Sequence, residues 1–232
     1  MAIFRLSEAL VFPDIHLADP EGLLAVGGDL SPERLLLAYQ KGIFPWFNRG
    51  EPILWWSPPE RAVIIPGHAH ISKSLKKTLR KVPFVVRVDT RFKDVVHACA
   101  ATPRPGQRGT WIGADMERAY RDLHERGFAH SFETFLNDEL VGGLYGISLG
   151  GCFFGESMFS AISDGSKVAF AALDATLAKR GFDLIDCQLE NANVARYGAQ
   201  LISRRKFQEI LQRSLKRPTE VGTWSLAEVP TG

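Results

Sequence analysis

The sequence predicts a mixed α/β (α+β) fold, and three observations carry the prediction. Two apolar runs, Leu140–Leu149 and Cys152–Met158, are joined by Gly150-Gly151, a strong antiparallel hairpin signal. Amphipathic segments with helix start and stop residues lie on both sides of that hairpin. The chain has 232 residues, 45% of them hydrophobic and 23% charged, which suits one large or two small domains with a real core. No apolar run is long enough to span a bilayer.

In chain order, the first twenty residues carry Pro13 and Pro20 and read as an irregular lead-in. Gly22–Leu30 is a short apolar segment closed by a glycine turn. Ser31-Pro32-Glu33 starts a helix, with Ser as N-cap and Pro in the first turn, and Gly42 ends it. Three of the five tryptophans, Trp46, Trp55 and Trp56, follow within a proline-rich run. Most of these rings are expected in the core, with one or two available to stack on a base. Pro58–Pro66 is read as a boundary, giving a small N-terminal domain (residues 1–62) and a larger one (residues 63–232).

Ile71–Val82 is predicted as an amphipathic helix. Ile71, Leu75, Leu79 and Val82 share one face, and Lys73, Lys76, Lys77 and Arg80 share another. Phe84–Val88 reads as a strand and Lys93–Ala101 as a helix. Thr102–Gly109 is expected to be a mobile basic loop leading to Trp111. Asp115 is expected to cap a helix closed by Gly127. Phe128–Leu136 alternates like a strand. Seven glycines between Gly142 and Gly165 imply close approach of something to the backbone. Ser163-Asp164-Gly165-Ser166 opens a helix running to Arg180. Phe182–Glu190 reads as a strand with Ile185, Cys187 and Leu189 on one face and Asp186 and Gln188, about 7 Å apart, on the other. Asn191 starts a short helix, Ser203 caps the last one, and the tail from Pro218 is expected to be loosely ordered.

Net charge is +2, but it is unevenly spread. His68–Arg91 and Arg204–Arg217 are both strongly basic, so a polyanion can bind locally, although solvated helix faces read the same way. Three widely spaced cysteines, Cys99, Cys152 and Cys187, point to a reducing, cytoplasmic setting without a zinc site. Met1–Arg5 has no basic-then-apolar leader, so no secretory signal is expected. A P-loop, a dinucleotide fingerprint and a Gly-X-Ser-X-Gly elbow are all missing. His68-X-His70 is too little for a metal site. What remains is Glu156 inside an apolar run, with Asp186, Gln188, glycines and aromatics. That set suits a reaction needing positioning and one proton transfer. A hydrogen-bonded polar pair finishing a sheet accounts for Asp186 and Gln188 equally well.

The stretches GLLAVGGDLSPERLLLAYQKGIFPWF, ILWWSPPERAV, HISKS, GTWI, AYRDLHERGFAHSFE, ELVGGLYGISLGGCFFGESMFS and LIDCQLEN resemble the bacterial leucyl/phenylalanyl-tRNA–protein transferases. The resemblance covers nearly the whole chain. It implies an acetyltransferase-like (GNAT) domain with a mixed central sheet after a small N-terminal domain. It also implies transfer of leucine or phenylalanine, and methionine, from aminoacyl-tRNA to the α-amino group of proteins that begin with Arg or Lys, marking them for the N-degron pathway. No cofactor, metal or membrane is implied, and a monomer is expected. By resemblance, Asp186 and Gln188 orient and help deprotonate the amine, Asp186 polarising Gln188, and Glu156, with Asp186, helps attract the basic first residue. Leu144, Phe153, Phe170, Leu173 and Ile185 would form the aminoacyl pocket. Trp46 and Trp111, with Tyr39, Tyr120 and Ser157, would hold the terminal adenosine, and Lys73, Lys76, Lys77 and Arg80 the acceptor-stem phosphates. Two rival readings stand beside this one: an acyl-CoA-dependent N-acetyltransferase, whose phosphate-binding turn Ser163–Lys167 does not match, and a non-catalytic RNA-binding module.

Overall fold

Strand β1 (Phe4–Leu6) lies parallel to β2 (Leu23–Gly27), so the lead-in expected to be irregular begins a four-stranded sheet. The computed structural model describes residues 3–102 and 112–226. Helix α1 (Pro32–Gln40) follows, with the Ser31 hydroxyl accepting from the Arg34 N–H and Gly42 in the left-handed region at φ +72°. Strands β3 (Phe44–Pro45) and β4 (Leu54–Trp56) complete the sheet in the order β1-β2-β4-β3. Ile15, in the 3-10 turn Ile15–Leu17 between β1 and β2, packs against the core that includes this sheet.

The second sheet has seven strands. Its members are β5 (Glu60–Ile64), β6 (Val85–Val88), β7 (Ala129–Leu136), β8 (Glu139–Leu149), β9 (Cys152–Ser160), β10 (Leu184–Asp186) and β11 (Gln200–Ser203). Their order is β11-β5-β10-β9-β8-β7-β6. Strand β5 falls inside Pro58–Pro66 and lies in the interior of the sheet, a placement that flanking prolines conceal in the sequence. The helices are α2 (Lys73–Lys81), α3 (Phe92–Ala101), α4 (Ala114–Glu125), α5 (Gly165–Lys179), α6 (Ala192–Arg196) and α7 (Arg204–Ser214). Asp115 sits in the first turn of α4, and Gly113, not Asp115, occupies the N-cap.

Both faces of this sheet are covered, which is why β7 and β8 are buried along almost their whole length instead of alternating, while β9 is buried at its start and half-buried from Gly155 to Met158. One face packs against α3 and α4 and shares its core with the small sheet: Leu24, Leu35, Tyr39, Trp55, Val95, Tyr120, Tyr145 and Phe154 belong to a single cluster. The opposite face packs against α5, where Phe132, Leu144, Phe153, Phe170, Leu173 and Ile185 form the second cluster. The glycines between the two let the chain approach itself. A Cβ on Gly142 would lie 2.3 Å from the Gly165 carbonyl carbon, and one on Gly150 would lie 2.3 Å from the Ser214 oxygen. The close approach inferred from the glycines is therefore made by the chain's own backbone at these positions.

The tail is docked as far as it is described. Trp224 is buried, its ring stacks on His130 at 3.8 Å, and its backbone N–H donates to Asp89 Oδ2 at 2.7 Å. One apolar ring seated on a buried histidine orders a segment whose composition alone reads as loose.

Candidate active site

Strands β9 and β10 run parallel for only three residue pairs, from Cys152 beside Leu184 to Phe154 beside Asp186. Beyond that point β10 stops while β9 continues to Ser160, so the sheet forks. Opposite the fork, the β8–β9 register shifts: Tyr145 faces Ser157, Gly146 faces Gly155, and Glu156 is the extra residue. A bulge of this kind re-aims the side chain it carries. Glu156 is thereby turned toward α1 and α4. Its Oε1 accepts from the Tyr39 hydroxyl at 2.7 Å and its Oε2 from the Tyr120 hydroxyl at 2.6 Å. Gln188 Nε2 donates to Oε1 from across the fork at 3.1 Å.

The electrostatics follow from this enclosure. Burial pushes the Glu156 carboxyl up to about 7. The Tyr120 and Tyr39 hydroxyls pull it down, Asp186 pushes it further up, and the Gln188 amide pulls it down again. Burial holds both tyrosine hydroxyls well above the ordinary phenol range, so they stay protonated and donate. The result is a carboxyl poised near neutrality, a position suited to accepting or returning a proton.

Gln188 does not continue the strand predicted for Phe182–Glu190. The strand ends at Asp186, and Gln188 adopts φ +58°, a left-handed conformation uncommon outside glycine. Its backbone N–H donates to Asp186 Oδ1 at 2.9 Å. The expected contact between the Asp186 and Gln188 side chains is therefore replaced: the carboxylate holds the Gln188 backbone, and the Gln188 amide serves Glu156. Asp186 is fully buried and paired with Arg61, whose Nε and Nη2 reach its two oxygens at 3.0 and 2.7 Å. Arg61 was not among the residues singled out from the sequence. A buried arginine is visible only once its carboxylate partner, 125 residues away, is brought to it.

Other expected site residues fall in several places. Tyr39 and Tyr120, expected to support an adenine, are fully buried and turned to Glu156, so neither ring offers a stacking face. Ser157 follows Glu156 on β9. Trp46 is 37% exposed and tilted against Trp56 at 5.9 Å. Trp111 lies outside the described residues. Leu144, Phe153, Phe170, Leu173 and Ile185 do come together, in the second core cluster. A cleft of about 710 Å³ borders that cluster at Met158 and Tyr197, and Tyr197 stacks on Phe170 at 3.9 Å.

Lys73, Lys76, Lys77 and Arg80 are all exposed on α2, with no described carboxylate within ion-pair distance. Leu79, placed on the apolar face, is 41% exposed, and Leu75 alone of α2 is buried. Cys187 is half-buried and burial pushes its thiol up, while Cys152 is pushed up to about 12; neither is a poised nucleophile. The described residues contain no group of three or more His, Cys, Asp or Glu placed to hold a metal ion.

Family models match most of the chain. Residues 63–212 match the model described as leucyl/phenylalanyl-tRNA protein transferase, and residues 28–59 match the model of its N-terminal domain. The chain belongs to the leucyl/phenylalanyl-tRNA–protein transferase family. A leucyl/phenylalanyl-tRNA–protein transferase from Desulfatibacillum aliphaticivorans is 55% identical over 226 residues, covering 97% of each chain. The protein of that name from Anaeromyxobacter sp. (strain Fw109-5) is 54% identical, covering 97% of this chain and 96% of its own. Among solved structures, a functionally unknown conserved protein from Staphylococcus epidermidis aligns with a TM-score of 0.41 at 11% identity. It covers 78% of this chain and 68% of its own, too remote a likeness to carry an argument. No helix of the described residues is long and apolar enough to cross a membrane.

Proposed function

We propose that this protein transfers leucine or phenylalanine, and methionine, from aminoacyl-tRNA to the α-amino group of proteins beginning with Arg or Lys, and that the products enter the N-degron pathway. Family membership supports the reaction. The observation that carries the mechanism is the Glu156 carboxyl, set on a bulge and held by Tyr39, Tyr120 and Gln188. The aminoacyl ester is already activated, so the chemistry asks for a neutral amine in the right place. An α-ammonium group has a pKa of about 7.7–8.0 and must lose a proton before attack. Glu156, near 7, takes that proton. The Gln188 amide oxygen is free to accept from the amine, because its Nε2 is committed to Glu156. The amine nitrogen then bonds to the ester carbonyl carbon, the ester C–O bond breaks, and a second amine proton leaves with the ribose oxygen. Holding both reactants at the fork supplies the positioning part of the rate.

In the same reading, the unit built on the seven-stranded sheet is an acetyltransferase-like domain with a small domain in front of it, and the boundary expected after residue 62 moves to before β5, since that strand (Glu60–Ile64) pairs within the large sheet. The antiparallel run β6-β7-β8-β9 followed by a parallel, forked β9/β10 pair supports that assignment. The donor side chain enters the cleft at Met158 and Tyr197, behind which Leu144, Phe153, Phe170, Leu173 and Ile185 are packed as its apolar backing. The terminal adenine stacks near Trp46 and Trp111, and the row on α2 takes acceptor-stem phosphates without reading sequence. The protein works as a cytoplasmic monomer. An apolar pocket discriminates by only about 1–3 kcal/mol per methylene, so valine and isoleucine transfer slowly instead of being excluded.

The test is transfer of radiolabelled leucine from Leu-tRNA to a peptide beginning with Lys, without ATP. Label is expected to enter the peptide, to stop when the first residue is Ala, and to stop in Gln188→Ala while tRNA affinity persists. No transfer by folded protein that still binds tRNA refutes the reading in favour of an RNA-binding module.

A further inference from the structure

The Asp186 carboxylate has no accessible surface, and both of its oxygens are spent. Oδ1 accepts from Arg61 Nε and from the Gln188 N–H, and Oδ2 accepts from Arg61 Nη2. The remaining guanidinium nitrogen, Nη1, donates to the Gly42 carbonyl at 2.8 Å. Arg61 is buried with its guanidinium between the rings of Phe44, at 4.8 Å, and Phe207, at 4.4 Å. Gly42 closes the end of α1, which carries Tyr39, and Gln188 is reached directly from the end of β10. One guanidinium thus ties together the two elements that present Tyr39 and Gln188 to Glu156. The left-handed backbone of Gln188 needs fixed partners to persist. Asp186 holds its N–H, and its carbonyl accepts from the N–H of Ala62, the residue after Arg61, at 3.1 Å.

We propose that Arg61 is a positioning residue for the transfer reaction, acting through Asp186 and Gly42 to hold Gln188 and Tyr39 against Glu156, and that Asp186 takes no proton from substrate. This rests on the transferase reading. No substrate atom reaches a carboxylate that is fully enclosed and bonded by three donors. The planar fork of arginine is what bridges a carboxylate and a carbonyl at once, and lysine, a point charge on a flexible stem, does not reproduce it.

The experiment compares Arg61→Lys with wild type, after circular dichroism and melting have shown a folded chain. Aminoacyl-tRNA affinity is expected within twofold of wild type and kcat at least tenfold lower. A charge-neutral double variant separates positioning from proton transfer. Arg61→Met with Asp186→Asn keeps an amide oxygen for the Gln188 N–H, whereas Arg61→Met with Asp186→Leu keeps none. Positioning predicts that the Asn double is at least tenfold faster than the Leu double. Equal rates in the two doubles, or wild-type kcat in Arg61→Lys, overturn the proposal. A wild-type protein that moves no leucine to the Lys peptide overturns the transferase reading itself, so the two failures are distinct.

Discussion

Replacing Tyr120 with phenylalanine removes one of two hydroxyls that hold Glu156 and leaves the ring in the core. The hydroxyl donates to Oε2 at 2.6 Å, a charge-assisted bond when Glu156 is ionised. Such bonds contribute about 1.5–3 kcal/mol. At about 1.36 kcal/mol per pH unit, losing one raises the carboxyl by roughly 1–2 units. Tyr120 stabilises the anion, so its removal moves the pKa upward, from about 7 toward roughly 8–9. At pH 7 the ionised fraction then drops from about one half to roughly 1–10%. If the carboxylate takes the amine proton, transfer at pH 7 falls about 5- to 50-fold and recovers as the pH approaches 9. The assay is a pH profile of kcat/KM for both proteins, with spontaneous ester hydrolysis subtracted; the acceptor's own ionisation is common to the two curves and cancels. An acid limb that stays at its wild-type midpoint would falsify this account of Glu156. A KM for aminoacyl-tRNA that rises equally at every pH would instead return Tyr120 to the adenine-binding role expected from sequence.

Further outcomes follow from the same geometry. Because burial raises the Glu156 carboxyl from 4.5 to about 7, the folded state binds its proton more tightly than the unfolded state does, and stability falls as pH rises through that window. Glu156→Gln is therefore expected to gain about 3 kcal/mol over wild type at pH 8 and nothing below pH ~4.5, while losing activity; urea melts at both pH values check it, and a loss of stability at pH 8 would contradict it. Trp224→Ala removes the ring stacked on His130 and is expected to cost about 3–5 kcal/mol by denaturant titration; a change under 1 kcal/mol would mean the tail contributes little. Changing Lys73, Lys76, Lys77 and Arg80 together to alanine is expected to weaken tRNA binding and to flatten its salt dependence by a slope of about 3, at roughly 0.7–0.9 per phosphate contact. An unchanged slope would take the α2 row out of the interface.

Local signals in the sequence were enough for most elements, because caps, glycines and apolar periods act over a few residues. Ser31, Asn191 and Ser203 all cap helices with their side chains, and Gly150-Gly151 turns the hairpin between β8 and β9. The apolar positions of the second core cluster, including Leu144, Phe153 and Ile185, were also legible, since a buried face is written as hydrophobicity. The family was legible from motif stretches spread over nearly the whole chain. Other features were decided only by tertiary structure. β1 is only three residues long and β5 is flanked by prolines, and the pairing of both comes from partners distant in the chain. The strand containing Asp186 ends there because Gln188 turns left-handed onto a carboxylate that Arg61 holds. Glu156 faces Tyr39 and Tyr120 because one extra residue shifts the register of β9. Sequence alone determined which residues are apolar, which can cap and which can ionise. Burial, register and the meeting of residues about a hundred positions apart decided which carboxyl is poised near neutrality and which is locked in an ion pair, because desolvation and charge pairing are properties of surroundings that no local stretch contains.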